Sequence, residues 1–269
     1  MDMRVDERAG RPSLAEPVCR APEGRGGSPA CTAPFRTVRA DRSYQVPARK
    51  PREADPAAEE TAARLEGRHG YRLAKRAFDA AFSAVVLVVL SPLMALVALA
   101  VKLDGTGGPA LFRQVRVGKG GREFEMYKFR TMVPGAEKRL GELKALNEKT
   151  GPVFKIRDDP RVTKVGRILR RTSLDELPQF LNVLKGDMSV VGPRPALPSE
   201  VASYGPRERQ RLLVPQGLTS YWQARRDRDS VSFDEWVDLD LAYVRDCGPW
   251  TDLKLIVKTV GVVLTAQGS

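Results

Sequence analysis

Histidine is nearly missing from this sequence of 269 residues, which contains only His69. A single histidine excludes metal sites built on histidine pairs and argues against a Ser-His-Asp triad. The three cysteines, Cys19, Cys31 and Cys247, lack the close spacing of a zinc site and the even number of a disulfide scaffold. The soluble part therefore suits a reducing compartment, and any catalysis must use carboxylates, lysines and arginines.

Acidic residues are outnumbered, with 33 Asp and Glu against 45 Lys and Arg, so the formal net charge is +12. This balance suits anionic partners such as nucleic acid, acidic lipid head groups or phosphorylated substrates. Residues 1–65 are rich in Pro, Gly, Ala and Arg, and they offer too little apolar surface to offset the entropy of ordering. We therefore predict a disordered tail over residues 1–65.

Charge is absent from residues 80–101. A straight helix of this length would extend roughly 33 Å, enough to cross the hydrocarbon core of a bilayer. Ser91 and Pro92 stand at its middle, where proline removes the hydrogen bond to the carbonyl of Val88 and the Ser91 hydroxyl can replace it. The segment is therefore predicted to kink at Ser91-Pro92.

Basic residues flank this segment on both sides, including Arg72 and Lys75 before it and Lys102 and Arg113 after it. Because positive residues prefer the cytoplasmic side, a re-entrant helix that enters the membrane and turns back keeps both groups inside. A single-pass anchor with a tolerated kink and a buried core helix remain the alternatives.

The rest of the chain mixes strand and helix patterns. A glycine-rich turn, GKGG, separates two strand-like runs and predicts a β-hairpin. Ser232 and Glu235 have capping-box spacing at the start of a later helix. The last apolar run is short for a membrane span and fits an interface-lying or core helix. The segments are ALFRQVRV and REFEMYKF for the hairpin, AEKRLGELKALNEK, SFDEWVDLDLAYVRD and DLKLIVKTVGVVLTA for helices, and VFKI for a short strand.

Two adjacent carboxylates, Asp175 and Glu176, precede Pro178 and an apolar helix. Either Ser173 or Asp175 could cap that helix, and acidic residues at a helix start are stabilising by themselves. Basic residues occur in neighbouring motifs, namely Lys128 and Arg130 in YKFRTM, Arg170 and Arg171 in ILRRTS, and Arg194 in GPRP.

This combination predicts phosphate chemistry. Arginine and lysine bind phosphate oxygens, and carboxylates beside them can hold Mg²⁺ together with substrate phosphates. A carboxylate can also act as a nucleophile and form an acyl phosphate. A surface salt-bridge network without function is the alternative.

From about Tyr71 to the C-terminus the chain resembles the bacterial sugar transferases, also called monotopic phosphoglycosyl transferases. The resemblance implies transfer of a sugar 1-phosphate from a UDP-sugar to a polyprenyl phosphate, such as undecaprenyl phosphate, with release of UMP. It places a re-entrant helix over residues 71–103 and a cytoplasmic catalytic domain over residues 104–269 at the bacterial inner membrane. The blocks that carry it are KRAFD, LSPLM, LFRQVRVG, YKFRTM, DPRVTKVGRILRRTSLDELPQFLNVLKGDMSVVGPRP and PQGLTSYWQ.

The resemblance also implies residue roles. Asp175 becomes the nucleophile and a Mg²⁺ ligand, and Glu176 becomes its dyad partner. The chain departs from the family at Ser220, where a glycine is usual. The implied substrate-binding residues are Lys128, Arg170 and Arg194 for the phosphates and the metal site, and Gln223 and Arg226 near the nucleotide.

The expected fold is mixed α/β and mostly helical, with a kinked re-entrant helix, a β-hairpin and interface-lying amphipathic helices. Anionic inner-leaflet lipids are expected partners, and self-association into a homo-oligomer is left open. Nucleic acid is not expected, because the sequence lacks a basic-aromatic platform and zinc-ligand spacing. The competing hypothesis is a membrane-tethered, non-catalytic scaffold in which Asp175 and Glu176 only cap a helix.

Overall fold

The computed structural model of the chain describes residues 53–143, 146–148, 151–156, 158–225 and 231–264. Helices predominate there, and the strands form two small sheets, which agrees with the predicted fold class. The helices are α1 (Pro56–Gly67), α2 (His69–Val89), α3 (Ser91–Lys102), α4 (Leu140–Leu143), α5 (Lys164–Arg171), α6 (Gln179–Lys185), α7 (Pro198–Ala202), α8 (Pro206–Arg209), α9 (Phe233–Asp246) and α10 (Pro249–Leu264). The strands are β1 (Leu111–Val117), β2 (Glu123–Phe129), β3 (Ser189–Val191) and β4 (Gly217–Thr219).

Helix α1 overturns part of the predicted disordered tail. The Asp55 side chain accepts hydrogen bonds from two backbone N–H groups of the first turn, which caps the helix. Ala58, Ala62 and Leu65 lie on one face and are buried in the core that α9 also lines. The composition argument failed here because small apolar residues at helical spacing are enough when a partner face is available. Residues 1–52 lie outside the described residues.

Helices α2 and α3 form one bent unit, with an angle of 63° between them. The Ser91 hydroxyl donates to the carbonyl of Val88 at 2.8 Å, which confirms the predicted compensation at the kink. Within the described ranges, each single helix is too short or too polar to span a bilayer. Taken together, α2 and α3 have the length and the apolar composition of a membrane span. Many of its large apolar side chains are exposed, whereas Val97 and Val101 are buried against the hairpin and α5. This exposure contradicts the core-helix alternative; the exposed ones include Val85, Val88, Val89, Leu96 and Leu99.

The predicted hairpin is confirmed. Strand β1 pairs antiparallel with β2, and glycines at positive φ form the turn between them. The buried side chain of Asn182 in α6 forms two hydrogen bonds with the backbone of β2, at the edge where a third strand would otherwise pair. Its Oδ1 accepts the N–H of Tyr127 at 3.0 Å, and its Nδ2 donates to the carbonyl of Glu125 at 2.6 Å. Helix α6 is therefore fixed against β2.

Helix α2 is fixed in turn to α6. Arg76 donates to the carbonyls of Val183 and Leu184, each at 2.6 Å. These carbonyls belong to the last turn of α6, where backbone donors are few; that of Val183 also accepts the N–H of the capping Gly186 at 3.0 Å. Asp79 accepts the N–H of Val190 at 3.2 Å. The first half of the bent pair is thus joined to the elements that follow the carboxylate pair.

Strands β3 and β4 pair in parallel and place the Gly-Pro-Arg-Pro turn. Their backbones meet where a Cβ on Gly192 would lie 2.2 Å from the carbonyl oxygen of Pro215. A Cβ on Gly217 would lie 2.1 Å from the backbone nitrogen of Gly192. The N–H of Gly217 donates to the carbonyl of Pro193 at 2.9 Å. Only glycine permits this approach, and the approach sets the backbone beside Arg194.

Two further local predictions have opposite outcomes. Ser232 caps α9 by accepting the N–H of Glu235 at 3.2 Å, as predicted. Residues 153–156, VFKI, are not a strand. The N–H of Lys155 donates instead to the Asn147 side chain at 2.9 Å, so an amide side chain has taken the place of a partner strand.

Candidate active site

The carboxylate pair lies in a tight segment between α5 and α6. Leu174–Glu176 forms a 3₁₀ turn, and α6 begins only at Gln179. Pro178 has no N–H, so the turns before it close through hydrogen bonds to the third residue back. Both predicted helix starts, at Ser173 and at Asp175, are therefore wrong.

Ser173 is where the chain reverses direction. Its φ of 57° makes it the one non-glycine residue with left-handed backbone in the described part of the chain. Such a conformation costs about 1–3 kcal/mol and persists where the surroundings impose it. Here it turns the chain directly after Arg170 and Arg171 and directs Asp175 back toward the cations. The dyad thus sits on a strained turn and not on a regular helix cap.

Glu176 is held by two cations from separate elements. Lys128 of β2 donates to its Oε1 at 2.7 Å, and Arg194 of the turn after β3 approaches the same oxygen at 3.4 Å. Burial lowers the pKa of Lys128, although the charge of Glu176 opposes that shift. The predicted grouping of Lys128 and Arg194 around the carboxylate pair is therefore seen in the structure.

Asp175 has a different environment from its neighbour. Its side chain is buried, and within the described residues no hydrogen bond ends on its carboxylate. Burial raises the pKa of Asp175 to about 6, Lys128 and the arginines oppose this shift, and Glu176 adds to it. Adjacent carboxylates in unequal environments can take different chemical roles. The carboxylate oxygens of Asp175 can therefore bind a ligand, whereas Glu176 already binds Lys128 and Arg194.

Arg170 approaches the pair from α5. Its Nε donates to the hydroxyl of Thr131 at 3.0 Å. Helix α5 lies this close to residue 131 because position 166 is glycine; a Cβ on Gly166 would lie 2.0 Å from the Thr131 carbonyl oxygen. Burial lowers the pKa of Arg170, and the charge of Asp175 opposes that shift. Arg170 therefore belongs to the cluster electrostatically, as predicted.

Arg130 has another role. It was a candidate phosphate ligand, but its buried guanidinium donates to the carbonyls of Pro109 and Val101, each at 2.9 Å, and to the Thr106 hydroxyl at 2.6 Å. Those partners lie at and after the end of α3. Arg130 thus connects the bent pair to the hairpin, a task that sequence spacing did not reveal.

The two remaining candidates are less closely tied to the carboxylate pair. The buried Gln223 donates to the carbonyl of Leu218 at 3.0 Å, and its Oε1 has no hydrogen-bond partner in the part of the chain that the structure describes. Arg226 lies outside the described residues. The assignment of both to the nucleotide stays a prediction.

Sequence reasoning missed three residues that surround Arg194. Arg116 donates to the carbonyl of Pro195 at 3.0 Å, and Arg211 approaches the Arg194 carbonyl at 3.4 Å. The guanidinium carbon of Arg194 lies 6.0 Å from the ring centroid of Trp222. Alternation along β1 could have placed Arg116 on the same hairpin face as Lys128. No local pattern marks Arg211, and Trp222 lies in the block PQGLTSYWQ without a role assigned to it.

The donor set fits a cation that brings further ligands with its substrate. Among the described residues, no three His, Cys, Asp or Glu side chains converge on one point. Mg²⁺ usually needs only one or two carboxylates, because waters and substrate phosphates complete its shell. Asp175, whose carboxylate accepts no hydrogen bond from the described residues, is the residue that suits this role.

Comparison with known proteins agrees with this site. The profile of the family described as bacterial sugar transferase matches residues 70–266. The chain is 42% identical over 203 residues to the undecaprenyl-phosphate galactose phosphotransferase of Salmonella typhimurium (strain LT2), covering 74% of this chain and 42% of that protein. It is 40% identical over 196 residues to the UDP-glucose:undecaprenyl-phosphate glucose-1-phosphate transferase of Escherichia coli (strain K12), covering 70% and 40%.

A shorter relative is covered almost completely. The chain is 39% identical over 201 residues to the exopolysaccharide production protein ExoY of Rhizobium meliloti (strain 1021), covering 73% of this chain and 88% of that protein. Against the two longer relatives the chain spans less than half of their length. The profile and these identities together establish that the chain belongs to the bacterial sugar transferase family.

Proposed function

We propose that the chain transfers a sugar 1-phosphate from a UDP-sugar to a polyprenyl phosphate and releases UMP. One observation carries this: the buried carboxylate of Asp175, which has no hydrogen bond from any residue that the structure describes, stands beside Glu176 within a cluster of cations. Relatives with about 40% identity are named for the transfer of galactose or glucose phosphate to undecaprenyl phosphate. Those names and the positive charge of the site support the proposed donor and acceptor classes.

Asp175 is the nucleophile in this proposal. Its carboxylate oxygen attacks the phosphorus bonded to the sugar, and the bond from that phosphorus to the oxygen of UMP breaks. A phosphate oxygen of the polyprenyl phosphate then attacks the same phosphorus and expels the carboxylate. A pKa of about 6 leaves Asp175 ionised at neutral pH yet basic enough to attack. Two displacements through a covalent intermediate replace one difficult step.

The surrounding cations stabilise charge on the transferring phosphoryl group. Lys128 and Arg194 both contact Glu176, and the charge of Arg170 acts on Asp175, so cations from three elements surround the pair before substrate binds. Mg²⁺, when bound at Asp175, would neutralise diphosphate charge. Glu176 holds Lys128 and Arg194 in place and is the dyad partner.

We also infer that the bent pair enters the membrane and returns to the cytoplasmic face. Its exposed apolar surface and the basic residues at both ends support this. Helix α10 adds a second exposed apolar face, formed by Trp250, Leu253, Val257 and Val260, which suits an interface-lying helix. This placement keeps the dyad at head-group depth, where the acceptor phosphate lies. Anionic lipids would attract the basic flanks.

The test of the reaction is UMP release by purified protein in detergent with Mg²⁺, undecaprenyl phosphate and separate UDP-sugars. Wild type should release UMP with one donor, and Asp175→Asn should lower the rate at least about a thousandfold. Asp238→Asn, at a half-exposed salt bridge to Arg207, is the matched control and should keep full activity. When a labelled UDP-sugar is supplied without the acceptor, the labelled sugar phosphate should remain attached to the wild-type protein and should be absent from Asp175→Asn.

Full activity in Asp175→Asn would remove this residue as the nucleophile. A folded wild type that releases no UMP from any UDP-sugar would favour the scaffold hypothesis.

Membrane topology needs its own test. With Cys19, Cys31 and Cys247 replaced by serine, Arg72→Cys and Leu103→Cys report the two ends of the bent pair. A re-entrant pair leaves both new cysteines unlabelled by an impermeant maleimide in intact cells. Labelling of either one from outside would establish the single-pass alternative.

A further inference from the structure

We propose that Trp222 is a positioning residue that holds the Arg194 guanidinium in place beside the carboxylate pair. This inference rests on the proposed function, because it concerns how one of that site's cations is oriented. Arg194 contacts Glu176 at 3.4 Å on one side, and the Trp222 ring lies on another, 6.0 Å from the guanidinium carbon. A free arginine side chain samples many rotamers, and a stacked ring reduces that number.

The ring is itself held firmly. Trp222 packs on Trp236 of α9 with ring centroids 4.3 Å apart. Trp236 in turn lies 5.2 Å from the guanidinium carbon of the buried Arg211. The turn that carries Trp222 is closed by the N–H of Ala224, which donates to the carbonyl of Ser220 at 3.0 Å. Because these contacts fix the Trp222 ring, the ring can restrict the orientation of the Arg194 side chain.

The backbone of Arg194 is held by other contacts. Arg211 approaches its carbonyl at 3.4 Å, and Arg116 donates to the carbonyl of Pro195 at 3.0 Å. These ties do not involve the Trp222 side chain. Removing the ring should therefore release the guanidinium while the turn keeps its place, which separates orientation of the cation from folding of the site.

A matched contact elsewhere supplies the control. Arg113 stacks on Tyr127, with its guanidinium carbon 5.6 Å from that ring centroid, and its side chain is about half exposed. Both residues point away from the face of the hairpin that carries Lys128. Tyr127→Leu removes a ring from an arginine without touching Arg194.

The kinetic test compares Trp222→Leu, Trp222→Phe and Tyr127→Leu in UMP release. Trp222→Leu should lower kcat/KM about tenfold, and Trp222→Phe, which restores a ring, should recover most of that loss. Tyr127→Leu should remain within about twofold of wild type. Equal losses in Trp222→Leu and Trp222→Phe would overturn the proposal. If Trp222→Leu does not fold, Trp222→Met keeps more side-chain volume and carries the same prediction.

A double-mutant cycle distinguishes positioning from general damage. In an Arg194→Ala background, Trp222→Leu should lower the residual rate by less than about twofold, because the group it positions is gone. A further tenfold loss in that background would show that Trp222 acts through the fold at large.

One readout does not depend on activity. Phenylglyoxal modification of Arg194, followed by peptide mass spectrometry, should be about threefold faster in Trp222→Leu than in wild type, with Arg113 unchanged. An unchanged rate at Arg194 would contradict the proposal. If wild type releases no UMP, the proposed function fails, and this reactivity still decides whether Trp222 holds Arg194.

Discussion

The candidate active site and the interior behind it use the same chemical groups in opposite ways. In the interior, the Nε and Nη2 atoms of Arg211 lie 2.8 and 2.7 Å from Oδ2 of Asp240, and Nη1 donates to the Tyr204 hydroxyl at 2.7 Å. In the site, Asp175 is buried without a hydrogen bond from the described residues, and its cations are shared with Glu176. In the interior cluster a direct ion pair occupies Oδ2 of Asp240, whereas the carboxylate of Asp175 is left to receive a ligand.

The pKa values alone do not separate the two clusters. Burial raises the pKa of Asp240 to about 6 against the opposing effect of Arg211, and burial raises the pKa of Asp175 to about 6 as well. The two carboxylates differ in whether a ligand can reach their oxygens. A perturbed carboxylate marks a functional site only when its oxygens remain available to substrate.

The largest expected effect lies in the interior cluster. Arg211→Met should destabilise the protein by about 3–5 kcal/mol, because Asp240 would stay buried without its ion pair. Urea unfolding in detergent measures this. Arg207→Met, which breaks a half-exposed pair with Asp238, is the control and should cost less than about 1 kcal/mol. Equal costs for both variants would refute the contrast between the interior cluster and the site.

The next effect lies in the site. Lys128→Met should lower the rate of UMP release about a hundredfold, because the cation nearest Glu176 is lost from the phosphoryl-binding cluster. The unfolding midpoint should move little, since Arg194 still contacts Glu176. Lys185→Met, at an exposed pair with Asp187, serves as the control. A large loss of stability with an unchanged rate would make Lys128 a structural residue like Arg211.

A smaller effect concerns stability against pH. The pKa of Asp175 is raised from 3.8 to about 6 by folding, so its charged form disfavours the folded state. The protonated carboxyl of Asp175 adds to the free energy of unfolding; this contribution is fully present below about pH 4 and is lost as pH rises through about 6. Asp175→Asn should therefore stabilise the protein by roughly 1–3 kcal/mol at pH 8 and by little at pH 4. Thermal unfolding at both pH values checks this, and a less stable variant at pH 8 would contradict it.

The smallest effect probes the kink. Ser91→Ala removes the hydrogen bond to the Val88 carbonyl and should cost about 1 kcal/mol in thermal unfolding. Ser203→Ala, which removes a similar bond to the Glu200 carbonyl outside the bent pair, is the matched comparison. UMP release should fall less than about twofold in either variant. A large loss of activity confined to Ser91→Ala would mean that the kink angle itself controls the site.

Local patterns predicted the features that depend on neighbouring residues. The hairpin, the Ser91-Pro92 kink and the Ser232 cap follow from turn glycines, a missing N–H and a hydroxyl at helix-start spacing. The neighbouring motifs suggested a phosphate site made of Asp175, Glu176 and cations, and the family resemblance assigned a role to each residue. Two local predictions failed where a side chain from elsewhere intervened, at α1, which packs on α9, and at VFKI, where Asn147 replaces a strand.

By itself the sequence determined the hairpin turn, the Ser91-Pro92 kink and the alternation along the hairpin strands, because those features are decided by backbone sterics within a few residues. The reversal at Ser173 was not among them. Only the tertiary structure decided that Arg130 joins α3 to the hairpin while Lys128, two residues earlier, reaches Glu176. It also decided that Asp175 is buried with no hydrogen bond from the part of the chain that the structure describes, and that Trp222 lies near Arg194. Burial and Coulomb interactions depend on what lies across space, and residues far apart in the chain supply those neighbours.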